Sequence, residues 1–376
     1  MPRCLKVKVV LMGRAYNFSA GPAMLPEEVM KRAAEELLSY GDSGIPVAEI
    51  CHRSEEYDMI MSNAKASLRQ LLNIPSNYKI LFMRGGATEQ FSAIPLNLLS
   101  EHKCADYIIT GQVSDRAMKE AKKYGDIAIA ATSSGATPVY STVPQTEKSD
   151  FRPDADYVYL CFNNTIYGTR FHYVPKTNNV PLVADMTTSL LSEPVDVSKF
   201  GVIFAGPQAN TAACGMTIVI IREDLLGNAR SDTPLSLNYK SIAADNSMYT
   251  SPSAENLYIA NLIFDWLISL GGLEEVKRRN ERKASIIYDY FDDCKGYYTV
   301  TVDKKCRSTS NIIFTTGERA LDEKFASDAR SAGLYNLEGH PSVGGLRASM
   351  YNSMPYEGAQ QLLAFLKRFA VENPKL

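Results

Sequence analysis

The chain has 376 residues, of which 45% are apolar and 22% charged, and its formal net charge is −2. That balance suits one large or two ordinary folded domains and leaves no electrostatic case for nucleic acid as a partner. No apolar run approaches the ~18 residues needed to span a bilayer, and the seven scattered cysteines, with no C-x-x-C, read as reduced thiols in a cytoplasmic protein.

The first fifteen residues carry Arg3, Lys6, Lys8 and Arg14 around Val9–Met12, and no acidic residue occurs before Glu27. This reads as a short basic extension or first strand; an organelle-targeting remnant is the alternative. Two prolines and a glycine in Tyr16–Pro26 precede a helix expected near Glu27. From about residue 60 to 225, short apolar runs alternate with amphipathic stretches. Strands are expected at 79–83, 106–110, 127–131, 157–162, 181–184, 202–205 and 216–221. Several are continuously apolar, as strands buried on both faces of a mostly parallel sheet should be. Helices are expected at 88–99 and 114–124, at 257–270 around the sole Trp266, and at 273–292 after Gly271-Gly272. The tail from Tyr297 reads strand, helix, strand, helix. The expected fold class is therefore α/β, with a large domain (26–265), an N-terminal arm (1–25) and a smaller C-terminal α+β domain (266–376). Ligands are expected at the carboxyl ends of the parallel strands.

Several segments carry chemistry. Arg84-Gly85-Gly86-Ala87-Thr88 follows a strand and opens a helix, so free backbone N–H groups can meet a phosphate, with Thr88 as the expected cap. Asp185 ends a strand and is followed by Thr187, Thr188 and Ser189. Gly344-Gly345 precede Arg347, a residue type that grips carboxylates bidentately. His52 and Arg53 follow a loop and form a candidate anion pair. The four histidines, His52, His102, His172 and His340, are too far apart in sequence to define a metal site, and none is expected.

Taken in order, these pieces resemble the phosphoserine aminotransferase family, from about Tyr16 to the C-terminus. The resemblance rests on Asn17-Phe-Ser-Ala-Gly-Pro-Ala, His52-Arg53-Ser54, Gly85-Gly86-Ala87-Thr88 and Pro95–Leu99. It continues through Asn164-Thr165-Ile166 with Gly168, Asp185, Val219–Leu226 and Gly339–Asn352. It implies a fold type I pyridoxal-phosphate transferase with a mostly parallel seven-stranded sheet. It also implies a homodimer with shared active sites that acts on a small phosphorylated amino or keto acid. The family interconverts 3-phosphohydroxypyruvate and glutamate with 3-phosphoserine and 2-oxoglutarate. By position, Ala87, Thr88 and Gln208 would lie at the cofactor phosphate, Thr165 at the ring oxygen and Asp185 at the pyridine nitrogen. Arg347 would hold the substrate carboxylate. His52, Arg53 and His340 would line its phosphate side, partly across the dimer interface.

Against that pattern the chain departs at several places. Ala209 stands where the family has its Schiff-base lysine. Val113 replaces a ring-stacking Trp, and Pro341 replaces an Arg at the substrate phosphate. Thr250-Ser251-Pro252 replaces Asn-Thr-Pro, which reaches the partner's cofactor phosphate, and Thr211–Cys214 replaces a Gly-Pro turn. Several site positions change together, which points to a divergent natural homologue rather than one engineered substitution. Lys199 and Lys240 are the nearest lysines in sequence, and neither is expected at the cofactor. The expectation is an impaired or inactive transaminase that binds its cofactor non-covalently. The alternatives are a ligand-binding or regulatory homologue, or a partner subunit of an active paralogue.

Overall fold

The computed structural model describes residues 14–294 and 296–375. Nearly all of the basic extension read from residues 1–15 lies outside them. In chain order, the short strand β1 (Tyr16–Asn17) leads to helix α1 (Glu27–Glu35) and then α2 (Glu55–Leu72). Next come β2 (Tyr78–Arg84), α3 (Ala87–Leu98), β3 (Cys104–Ile109), α4 (Gln112–Ala121) and β4 (Asp126–Thr132). Four strands follow: β5 (Tyr157–Cys161), β6 (Leu182–Asp185), β7 (Val202–Ala205) and β8 (Met216–Arg222). Helices α5 (Tyr239–Ala244), α6 (Ala254–Ser269) and α7 (Leu273–Asp293) precede β9 (Asn311–Phe314) and α8 (Arg319–Ser331). The chain closes with β10 (Leu334–Tyr335), β11 (Leu346–Ser349) and α9 (Tyr356–Glu372).

Each expected strand forms, within one to two residues of the bounds read from sequence. Helix α2 was not among the expected elements. Its start is set by Ser54, whose hydroxyl accepts from the Tyr57 amide at 3.3 Å, and its end by Asn73 in the left-handed region at φ 48°.

The large sheet has seven strands in the order β2-β8-β7-β6-β5-β3-β4. β8 is antiparallel to both β2 and β7, and the other pairings are parallel. Strands β2, β3, β5, β6 and β7 thus point the same way, and the loops leaving their carboxyl ends gather on one edge. Alternation along each strand feeds two cores. Ile80, Phe82, Leu160, Leu182 and Ile203 pack under α2 and α6, while Leu81, Tyr107, Tyr159, Val183 and Phe204 pack under α3, α4 and α5.

A third core joins Phe18 and Met24 of the N-terminal segment to the second half of α7, β9, α8, β11 and α9. Its centre is an aromatic cluster in which Phe325 contacts Phe314, Phe365 and Phe369 with ring centroids 5.8, 4.9 and 5.0 Å away. A domain boundary at 265/266 would cut α6, whose Leu267 still packs on the large core. Packing changes hands along α7, between Val276 and Ala284. We therefore propose that the small domain begins within α7. At Gly271-Gly272, α6 and α7 meet at 87°; among the described residues no single helix is long and apolar enough to cross a membrane.

Candidate active site

A cavity of about 590 Å³ opens on the carboxyl edge of the sheet. Its walls include Ala87 and Thr88 after β2, Val113 after β3, Asn163 and Thr165 after β5, Asp185 at the end of β6, and Gln208 after β7. Five strand ends, spread along the chain from Ala87 to Gln208, therefore supply one cleft.

Asp185 is 2% exposed. Its Oδ1 accepts from the Thr187 amide at 2.9 Å and from the Thr187 hydroxyl at 2.6 Å. Both bonds fall on one oxygen, so the carboxylate keeps acceptor capacity for a group inside the cavity. Burial pushes the Asp185 carboxyl upward, and the Thr187 bonds offset part of that. Among the described residues Asp185 forms no ion pair, and a buried carboxylate of this kind is stabilised by a cationic N–H. Thr187 is itself held in place, because its hydroxyl oxygen accepts from the Gly206 amide at 3.2 Å.

At the helix end of the cleft, Thr88 is not the cap. Gly86 occupies that position, and Glu89 reaches back to its amide at 2.7 Å. The amides of Ala87 and Thr88 remain in the first turn, where helices leave N–H groups for an anion. Gly206 makes this possible from the opposite side: a Cβ there would sit 2.8 Å from the Ala87 amide nitrogen. Gln208 packs close to Gly21, and its carbonyl accepts from Ala23 at 2.9 Å, so the N-terminal segment pins the turn after β7.

Ala209 is 2% exposed and does not line the cavity. The turn that carries it is nevertheless well held. Asn210 Oδ1 accepts from the Asn352 amide at 3.0 Å, and Asn352 donates its side-chain amide to the Leu191 carbonyl at 2.9 Å. Lys283, buried in α7, donates to the carbonyls of Tyr351 and Met354 at 2.6 and 2.9 Å and fixes the segment around Asn352.

The substrate side is built from the small domain. Gly345, at φ 66°, passes its backbone close to Phe314, where a Cβ would lie 2.9 Å from the carbonyl oxygen. Arg347 follows in β11 and donates to the Thr165 carbonyl at 3.2 Å, which aims it at the cleft wall. Burial lowers Arg347 from its usual value, and among the described residues it has no carboxylate partner. His340 Nδ1 lies 2.6 Å from Ser342 Oγ, which also accepts from Gln112 at 2.8 Å. The two domains are further stitched by Asn163. It donates to Thr188 and to Asn311 at 2.7 and 2.8 Å, and Asn311 donates to Ser349 and Tyr351.

The remaining sequence candidates fall elsewhere within one chain. His52 and Arg53 are exposed on the turn before α2. Thr250 and Ser251 do not line the cavity; the Ser251 carbonyl accepts from Arg84 at 2.9 Å. Lys199 and Lys240 do not line it either. Sequence reading missed Arg116 and Lys119 of α4 and Lys123 just after it, which do. The signal available was their spacing at one helical face with Gln112 and Val113. Lys119 pairs with Asp115 and Lys123 with Glu120, both at 2.6 Å.

The aminotransferase class-V family profile matches residues 15–362. Phosphoserine aminotransferase of Laribacter hongkongensis is 46% identical over 355 residues, covering 94% of this chain and 98% of that one. The structure of phosphoserine aminotransferase from Bacillus circulans subsp. alkalophilus superposes with a TM-score of 0.92 at 40% identity, over 96% of this chain and 99% of that one. The phosphoserine aminotransferase of Trichomonas vaginalis, solved bound to pyridoxal phosphate, matches with a TM-score of 0.86 at 36% identity, over 94% and 100%.

Proposed function

The chain belongs to the class-V aminotransferase family, among the phosphoserine aminotransferases, and we propose that it holds pyridoxal phosphate without a covalent bond and is impaired as a transaminase. The observation that carries this reading is an intact Asp185–Thr187 pair in the cavity of a chain that has a methyl group at position 209.

The described residues fit the cofactor as a non-covalent guest. The Asp185 carboxylate needs a cationic N–H, and the Gly206 gap leaves the Ala87 turn clear for a phosphate. They do not fit covalent attachment at 209, because alanine offers no amine. When bound, the cofactor supplies an electron sink through its pyridine ring. In this reading Asp185 holds the proton on the ring nitrogen, and Thr187 fixes the carboxylate's orientation. The amides of Ala87 and Thr88, with Gln208, meet the phosphate. Val113 packs on the ring less broadly than a Trp would, and Thr165 sits at the ring oxygen. Arg347 holds the substrate carboxylate and His340 flanks its distal end.

No side chain at 209 moves a proton from the substrate Cα. A positioned acid–base group is typically worth ~10²–10⁴-fold in rate, so the loss falls on turnover more than on binding. The reaction proposed for the cleft is that of its relatives, between 3-phosphoserine with 2-oxoglutarate and 3-phosphohydroxypyruvate with glutamate. We place the working form as a cytoplasmic homodimer, in which His52, Arg53, Thr250 and Ser251 of each chain serve the other's cleft. Exposure of His52 and Arg53 in the single chain agrees with that arrangement.

The test is a half-reaction. Protein, pyridoxal phosphate and 3-phosphoserine are mixed, and pyridoxamine phosphate is followed by absorbance beside the Ala209→Lys variant. A silent native protein and an active variant support the reading. Native turnover above that of free pyridoxal phosphate removes the impairment. Silence in both removes the transaminase cleft, and favours a subunit that serves an active relative or a protein that only binds its ligand.

A further inference from the structure

We infer that Arg116 of α4 is the residue that selects a substrate with a second, distal anionic group, a phosphate above all. This deepens the reading above and rests on it.

Residues Gln112 and Arg116 stand four apart on α4, so they share a face, with Arg116 one turn further along. Gln112 reaches the small domain, donating to Ser342, which in turn contacts His340. Arg116 therefore projects along the same face that meets His340, and it lines the cavity together with Val113, Thr165 and Asp185. The field it exerts is felt across the cleft: burial is the main cause that lowers His340, and Arg347 and Arg116 follow as the next two.

Its neighbours on the helix are neutralised. Lys119 is paired with Asp115, and Lys123 with Glu120. Among the described residues Arg116 forms no ion pair and no side-chain hydrogen bond, and Arg347 bonds only a carbonyl. Arg116 lines the cavity, and Arg347, from the other domain, reaches its wall at Thr165; among the described residues neither has a carboxylate partner. A ligand with two anionic ends satisfies both, with its carboxylate on Arg347 and its distal phosphate on Arg116 beside His340. A mono-anionic amino acid satisfies one and leaves the other unanswered. Proline at 341 puts no cation on the 340 turn, so within one chain Arg116 supplies positive charge to the distal group, alongside the partner's Arg53 in the proposed dimer. The short Val113 side chain, three residues before Arg116, leaves the guanidinium room to lean over the ligand.

Binding is measured without turnover by loading the protein with pyridoxamine phosphate, which does not react with an amino acid, and titrating with 3-phosphoserine and with serine. Native protein is expected to favour 3-phosphoserine. Arg116→Ala is expected to weaken 3-phosphoserine about 10-fold to 100-fold, the range of one charge-assisted bond, and to leave serine unchanged. Arg116→Lys should recover most of the preference, which a merely structural role for the side chain would not predict. If Arg116→Ala keeps the native preference while Arg347→Ala weakens both ligands, the cleft is a substrate site and Arg116 has no part in selection. If loaded native protein binds neither ligand, the substrate reading falls and the inference with it.

Discussion

The ends of β6 and β7 lie side by side in the sheet, with Asp185 paired to Phe204, yet they have kept different things. β6 ends in a buried carboxylate with its supporting threonine in place. β7 runs into a turn whose frame is equally well supported, through Gln208, Asn210 and Asn352, but whose functional side chain is a methyl group. The contrast separates two kinds of cost. A carboxylate left buried without its bonds destabilises the fold, so Asp185 and Thr187 are tied together by folding as well as by chemistry. The methyl group at 209 carries no polar atom to be satisfied, so it has no such tie.

The largest effect should come from the β6 end. Asp185→Asn removes the charge that answers a ring N–H, and pyridoxal phosphate affinity is expected to fall by about 10- to 100-fold, equivalent to ~1.5–3 kcal/mol for a charge-assisted bond. Fluorescence titration reads it, and an unchanged affinity would reduce Asp185 to a brace for its own turn. Next is the seam that holds both ends against the small domain. Asn311→Ala leaves Asn163, Ser349 and Tyr351 short of a partner and should cost about 1–3 kcal/mol in urea unfolding. No loss would mean that the two domains are held by apolar packing alone.

A third effect is a pH slope at Lys283, which backs the Asn352 segment. Burial lowers this amine from 10.5 to about 7 in the folded chain. A neutral amine has two N–H donors, matching the two carbonyls it meets. Between those two values the unfolded chain holds one more proton at this site than the folded one, so stability rises as pH climbs from about 7. Below about 7 both states hold the proton, and the folded one carries the full cost of burying it. Lys283→Met should flatten the rise measured by unfolding across this range; an identical slope in the variant would assign it to other groups. The smallest effect is Val113→Trp, which should tighten the cofactor by ~1 kcal/mol of stacking, roughly fivefold in dissociation constant, if the cavity accepts the larger ring.

The sheet was legible because seven apolar runs, several unbroken, have one stable home, a layer covered on both faces. Asp185, the Gly85-Gly86 turn and Gly344-Gly345 before Arg347 could be read because each couples a strand end to a residue type with one strong chemical use. Thr88 as a cap could not be settled that way, since the helix starts one residue earlier, with Gly86 at the cap position and its amide bonded to Glu89. Helix α2 was passed over although Ser54 and Asn73 mark its ends. We propose a domain boundary within α7 in place of 265/266, because the change of core falls in the middle of an unbroken helix, where the sequence carries no break to mark it. Arg116 was invisible for another reason. A cation on an amphipathic helix looks like any solvated face until the fold shows that its neighbours are paired and that it is not.

The bond from the Asn352 amide to Asn210 has a consequence for how this chain changes over generations. The turn takes its shape from residues 210 and 352, and the methyl group at 209 contributes no hydrogen bond to it. Position 209 can thus change without disturbing the bonds that shape its turn, and the chemistry of the cleft is separable from the architecture that surrounds it.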